Sequence, residues 1–277
     1  MFKKLYLLFL IILPKNLLSR LVGSLASKPI SRPFIPWFAK RYKINLEDAE
    51  KDIKEYRTLN QFFTRRLKDG LRPVEERDNT KSICSPVDGK IAQYGKIDGD
   101  TMIQAKGRYY SLDELIGSKE EAKVYKNGYF MTIYLSPKDY HRIHHYCDGE
   151  ITGYRYIPGY LFPVNPFSVD NVKNLFAVNE RFTTYFKNED KNTAIVKVGA
   201  TIVGKIKVTY NPIQSNRFGQ IEHGEIKPPV KVKKGEELGL FEMGSTVIVL
   251  FEENNFKFEE FQLNDMVKLG QKLGSWQ

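Results

Sequence analysis

Beyond residue 130 the chain is a succession of short segments rich in β-branched and aromatic residues, at 130–135, 151–157, 181–186, 193–198, 201–210 and 246–251. Such spacing predicts strands, and strands in this number need a sheet-built core. Between two of them, Val232-Lys233-Lys234-Gly235-Glu236-Glu237-Leu238-Gly239 reads as a tight turn joining short strands, a likeness to sandwich-type barrels at the level of fold alone. Upstream, residues 45–71 carry a helical pattern: Leu59, Phe62, Phe63 and Leu67 share one face, and Gly70 and Pro73 end it. The class expected is α+β, with a mainly β, sandwich-like body. No repeat or low-complexity tract interrupts it.

A chain of 277 residues with 42% hydrophobic content, 18 Phe and 16 Tyr has material for one large or two small cores. The only cysteines, Cys84 and Cys147, form no metal-type pair, so neither a disulfide framework nor a structural zinc site is expected.

The formal charge of +10 is concentrated at the start, where nine Lys or Arg precede Glu47, the first acid. Residues 5–13 form an unbroken apolar run about 14 Å long as a helix, against a hydrocarbon core of about 30 Å, which is too short to span it. After Pro14, Leu17, Leu18, Leu21, Val22 and Leu25 recur at helical spacing opposite Lys15, Asn16, Ser19 and Arg20. Pro36-Trp37-Phe38 beside Lys40 and Arg41 adds a headgroup-level anchor. The expectation is a basic amphipathic arm over residues 1–43, lying on an anionic membrane surface at the cytoplasmic face, followed by a catalytic domain at 44–277. The competing reading is a helical hairpin packed on the body by its apolar side. A secretory signal is disfavoured because Pro14, Lys15 and Arg20 break the segment before Ser24-Leu25-Ala26. No nucleic-acid motif accompanies the basic charge.

Three groups of residues carry reactive chemistry. In Gly244-Ser245-Thr246 the serine hydroxyl can attack the preceding carbonyl through a five-membered ring, and glycine tolerates the bent backbone this needs. Loss of the α-proton from the resulting ester expels the Gly244 carboxylate, and hydrolysis of the dehydroalanine left behind gives a terminal pyruvoyl group. The hydroxyl needs a base and the base an orienting acid, roles open to His144 and Asp88. Taken singly these residues are equally compatible with ordinary structure: a Gly-Ser turn, an Asp88-Gly89 hairpin turn, and a polar surface turn at His141, His144 and His145.

Taken together they sit in several long segments: Tyr56-Arg57-Thr58-Leu59-Asn60-Gln61-Phe62-Phe63, Ser85-Pro86-Val87-Asp88-Gly89, Leu135-Ser136-Pro137-Lys138-Asp139-Tyr140-His141-Arg142-Ile143-His144, Tyr156-Ile157-Pro158-Gly159, Asn174-Leu175-Phe176-Ala177-Val178-Asn179-Glu180-Arg181, Val198-Gly199-Ala200-Thr201-Ile202-Val203-Gly204 and Gly244-Ser245-Thr246. Through these the chain resembles, nearly end to end, the bacterial phosphatidylserine decarboxylase proenzymes of the short membrane-associated type. The resemblance implies self-cleavage between Gly244 and Ser245 into a beta chain, 1–244, and an alpha chain, 245–277, which remain together as a heterodimer. It implies that Ser245 becomes a covalent pyruvoyl cofactor, that Asp88 and His144 assist the cleavage, and that His141 acts in decarboxylation or in protonating the product. The pyruvoyl group would take the amine of phosphatidylserine as a Schiff base and act as electron sink, giving phosphatidylethanolamine without a metal. Met243 stands where leucine is usual, a nearly volume-conserving change, and His145-Tyr146-Cys147 replaces a proline-containing stretch. The apolar loop at 156–167 suits either an acyl-chain guide or a cover packed on the sheet.

Two other classes compete. A metal-dependent hydrolase would draw on His141, His144 or His145, with His223 and a carboxylate as further ligands, without a recognised metal spacing. A lipoyl or biotin carrier would need a lysine at its modified turn, absent near Gly235 and Gly244.

Overall fold

A computed structural model describes residues 15–105, 107–201, 205–213, 215–216, 219–242 and 245–277. The apolar run at 5–13, Ile202 to Gly204, Met243 and Gly244 lie outside them. In chain order the strands are β1 (Ser82–Cys84), β2 (Gly89–Lys96), β3 (Thr101–Ala105), β4 (Arg108–Ser111), β5 (Tyr129–Leu135), β6 (Arg142–His144), β7 (Gly149–Ile157), β8 (Arg181–Asn188), β9 (Lys191–Val198), β10 (Ile206–Val208), β11 (Glu222–Val232), β12 (Glu237–Phe241), β13 (Ser245–Phe251), β14 (Phe256–Phe258), β15 (Met266–Val267) and β16 (Lys272–Trp276). Five of the segments expected from the sequence, at 130–135, 151–157, 181–186, 193–198 and 246–251, coincide with β5, β7, β8, β9 and β13.

An antiparallel eight-stranded sheet in the order β11-β7-β8-β9-β13-β5-β2-β15 organises the body. On one face Val247, Val249, Ile133 and Ile195 pack against Ile83, Ile143, Ile206, Leu238 and Trp276 of two three-stranded sheets, β1-β16-β14 and β10-β12-β6. On the other, Ile248, Leu250, Val196 and Val198 pack against Leu112, Leu115, Phe162 and Phe176, which come from short helices and a loop. Both faces are therefore dry, which is why the Ser245–Phe251 strand is apolar without alternation and buried at every position. The arrangement is α+β, mainly β.

Two expectations are corrected. The helical pattern at 45–71 forms a continuous helix nowhere; only α3 (Leu59–Phe63) and a single turn at Ile53–Glu55 appear. Local side chains explain the break. Asp52 and Glu55 close a reciprocal capping box, Tyr56 is extended, Thr58 starts a fresh helix by accepting from Gln61 N–H at 3.1 Å, and the Thr64 hydroxyl donates back to Asn60 O. Leu67 instead bridges to Ala49. The long strand expected at 201–210 is reduced, among the described residues, to β10, because the chain leaves the large sheet after Val198 and pairs with β12.

The arm contains α1 (Lys15–Ala26) and α2 (Ile35–Tyr42). Helix α1 meets the body with its polar side: Ser19 and Lys15 are buried, Asn16 donates to Gly159 O at 2.8 Å, Arg20 to Asn216 Oδ1 at 3.3 Å, and the Lys15 ammonium sits 4.3 Å from the Phe162 ring centre. Leu17, Leu21 and Leu25 are each more than half exposed. In α2, Ile35, Phe38 and Ala39 join Tyr56, Phe62 and Phe63 in a small core that joins arm to body. Among the described residues no helix is long and apolar enough to cross a membrane.

Candidate active site

The register of the large sheet brings three distant segments to one end. Ser245, the first residue of β13, pairs with Leu135, the last of β5, while Lys90 near the start of β2 pairs with Tyr134. With strands about 4.8 Å apart, Asp88, Ser245 and the 136–144 segment share that rim. Gly89 permits the crossing: a Cβ there would lie 2.7 Å from Tyr134 O and from Ile133 Cγ2. It begins a strand and is not a hairpin turn.

Ser245 is fully buried, and its hydroxyl has no hydrogen-bond partner among the described residues. It opens on a cavity of about 350 Å³ walled by Phe38 and Tyr42 of the arm, Phe63 of α3, Leu135, Pro163, Val164 and Ala200. The loop that suited an acyl-chain guide thus supplies part of this wall, while its Leu161 and Phe162 are packed inside.

His141 is completely buried, its ring 4.0 Å from that of Phe63. Its Nδ1 lies 2.8 Å from Asp139 O, so the proton belongs on Nδ1, and Nε2 keeps a lone pair with no hydrogen-bond partner among the described residues. Burial, reinforced by nearby Arg65, pushes its pKa down to about 3, keeping the ring neutral. A neutral imidazole with a bare Nε2 can accept a hydrogen bond from a group placed beside it.

His144 ends β6. Its Nδ1 donates to Gly235 O at 2.8 Å, its Nε2 faces Tyr140 Oη at 3.3 Å, and burial lowers its pKa. The backbone N–H of His144 donates to Pro86 O at 2.9 Å, which ties this strand to the Asp88 segment. Asp88 itself is clamped by Arg72, with Nε at 2.9 and 3.1 Å and Nη2 at 2.6 Å, and accepts Leu269 N–H at 2.8 Å. His144 and Asp88 therefore lie on neighbouring segments, each hydrogen-bonded to other groups. Asp88 lines a second cavity of about 360 Å³ with Asp139, Tyr140 and Arg65. His145 points elsewhere, edge-on to Phe186 in the core, where burial lowers its pKa to about 3.

Arg72, Tyr140 and Arg65 were not legible as site residues. Tyr140 lies inside the 135–144 motif, but the arginines carry no local mark, since their partners are 16 and 73 residues away in the chain.

A family model described as phosphatidylserine decarboxylase matches residues 59–275, and a second, PSD, matches residues 5–43. The chain belongs to the phosphatidylserine decarboxylase family. It is 47% identical over 249 residues to the phosphatidylserine decarboxylase proenzyme of Brevibacillus brevis, covering 89% of this chain and 88% of the relative. Against the proenzyme of Myxococcus xanthus identity is 46% over 271 residues, 95% of each chain, and against that of Dechloromonas aromatica 41% over 284 residues, again 95% of each. Membership makes the chain a decarboxylase made as a proenzyme. The boundary between the two family models falls after the arm, between α2 and α3.

Proposed function

We propose that this decarboxylase converts phosphatidylserine to phosphatidylethanolamine, using a pyruvoyl group that the chain makes from Ser245 by cutting its own Gly244–Ser245 bond. The observation that carries this reading is the Ser245 hydroxyl, buried without a hydrogen-bond partner among the described residues, at the head of a central strand and facing a mainly apolar cavity. A buried hydroxyl left unpaired is costly, and a reactive role accounts for it. In the precursor the hydroxyl adds to the Gly244 carbonyl, with His144 as base and Asp88 as its electrostatic partner, their positions held by Gly235, Tyr140 and Arg72. The site residues suit the group: the cavity wall is mainly apolar, and His141, packed against Phe63 of that wall, is the imidazole assigned to proton transfer at the substrate α-carbon. Once formed, a pyruvoyl group supplies an electron sink for the pair released as carbon dioxide leaves. Phe38, Tyr42, Phe63 and Val164 give the carboxylate an apolar wall, which favours charge dispersal in the transition state.

The two products of cleavage stay together because β13, the first strand of the short chain, is hydrogen-bonded on both sides, to β5 and β9. The protein works as a peripheral membrane enzyme at the anionic cytoplasmic leaflet. Leu17, Leu21, Leu25, Ile30, Phe34 and Trp37 are exposed together, with Lys28, Arg32, Lys40 and Arg41 exposed on the same arm. Denatured intact mass tests the core of the proposal: wild type should give fragments 1–244 and 245–277, the latter with a blocked keto terminus. Ser245→Ala should give one uncut, inactive chain. An uncut wild type that still decarboxylates the lipid refutes it.

A further inference from the structure

Arg65 is only 4% exposed, yet among the described residues no carboxylate lies within ion-pair range of it, and two of its three guanidinium nitrogens, Nε and Nη1, have no hydrogen-bond partner. The third, Nη2, donates to Lys138 O at 2.9 Å and leans towards Asp139 O at 3.5 Å. Burial lowers its pKa, but a guanidinium stays charged at any working pH. A buried cation with unmet donors is the signature of a missing anion. The side chain also stands in the wall of a groove of about 670 Å³ whose other lining includes Arg57, Arg66 and Arg142, with Glu50 and Glu55 as the acids. Arg66 and Arg142 both bond to Glu237, at 3.2 and 2.6 Å. Arg65 has no such direct ion pair among the described residues, although Asp88, Asp139 and Asp48 lie near enough to raise its pKa against the effect of burial.

Its position relative to the reacting groups identifies the anion. Arg65 follows α3 by two residues, and Phe63 at the end of that helix both lines the Ser245 cavity and stacks on His141. The Asp139 carbonyl that receives His141 Nδ1–H is the one towards which Arg65 Nη2 leans. A serine lipid offers two anions near its amine. Pairing the carboxylate with arginine would stabilise a charge that decarboxylation must disperse, and so favour the ground state over the transition state. The phosphodiester, joined to the α-carbon by a single CH2–O link, keeps its charge throughout. We propose that Arg65 is the phosphate-recognising residue of the site, its free Nε and Nη1 taking the head-group phosphodiester while the carboxylate remains in the apolar cavity beside Ser245. This assignment rests on the reading of the protein as a serine-lipid decarboxylase.

Binding a charge that does not change during reaction lowers KM and leaves kcat alone. Arg65→Gln should therefore raise KM for phosphatidylserine in mixed micelles roughly ten- to hundredfold, with a much smaller fall in kcat, since Arg65 also bonds the Lys138 carbonyl beside His141, and with self-cleavage retained. Arg65→Lys should recover part of the loss. With a phosphate-free substrate, a long-chain serine alkyl ether, Arg65→Gln should show only that small fall in kcat and no rise in KM. An equal loss on both substrates, or a fall in kcat at constant KM, overturns the assignment. A binding measurement separates its failure from failure of the decarboxylase reading and needs no turnover. The uncut Ser245→Ala precursor should bind glycerophosphoserine, measured by calorimetry, and lose that binding with Arg65→Gln, or weaken it with Arg65→Lys should the glutamine variant not fold. Binding of inorganic phosphate but not of glycerophosphoserine overturns the head-group assignment in favour of a free-phosphate site.

Discussion

Strand β13 and helix α1 are both rich in aliphatic residues, and the fold turns them in opposite directions. In β13 every side chain from Ser245 to Phe251 is buried, alternate residues serving cores on the two faces of the sheet. In α1 the aliphatic residues Leu17, Leu21 and Leu25 face outward, and the polar Lys15, Asn16, Ser19 and Arg20 make the contacts with the body. The sheet is the platform on which chemistry is positioned; the arm presents an apolar face that no described residue covers. Leu18 and Val22 of α1, half-buried at the boundary, show that the division is by helix face and not by residue type.

The contrast is broken most severely from the sheet side. Ile248→Ala removes a fully buried side chain from a dry, closely packed face and should cost on the order of 2–5 kcal/mol, read by urea unfolding. Loss of well under that amount would mean that the face is not packed as described. From the arm side, replacing Leu17, Leu21 and Leu25 together by Ser should change unfolding free energy by less than about 1 kcal/mol. Binding to vesicles containing anionic lipid should weaken at least about tenfold, since each leucine inserted contributes up to roughly 1.5–3 kcal/mol. Unfolding of the triple variant at ordinary temperature, with vesicle binding intact, would reverse the comparison.

The smallest effect concerns proton linkage in the core. His141 and His145 have folded-state pKa values near 3 because burial disfavours their charged forms, whereas in the unfolded chain they titrate near the ordinary value of 6.5. Stability from keeping them neutral is thus fully present above about pH 6.5. It is lost as pH falls from there towards 3, because the unfolded chain then binds protons that the folded one refuses. The slope is on the order of 1 kcal/mol per pH unit for each histidine. His145→Leu should flatten the fall in melting temperature between pH 6.5 and 5, and an unchanged profile would show that His145 is not held neutral.

The sequence by itself determined the strands that matter, the amphipathic helix at 15–26 and the candidate residues Asp88, His141, His144 and Ser245, because β-branched runs, helical periodicity and motif strings are local properties that survive without coordinates. It was misleading at 45–71, where helical periodicity is overruled by caps at Asp52 and Thr58 only a few residues apart. Which way α1 faces was left open between membrane and body, since a periodic stripe says nothing about what covers it. Tertiary structure alone decided the rest. The neutrality of His141, the clamp of Arg72 on Asp88 and the two unbonded guanidinium nitrogens of Arg65 arise from burial and from partners far along the chain, and burial is a property of the packed molecule that no single residue carries.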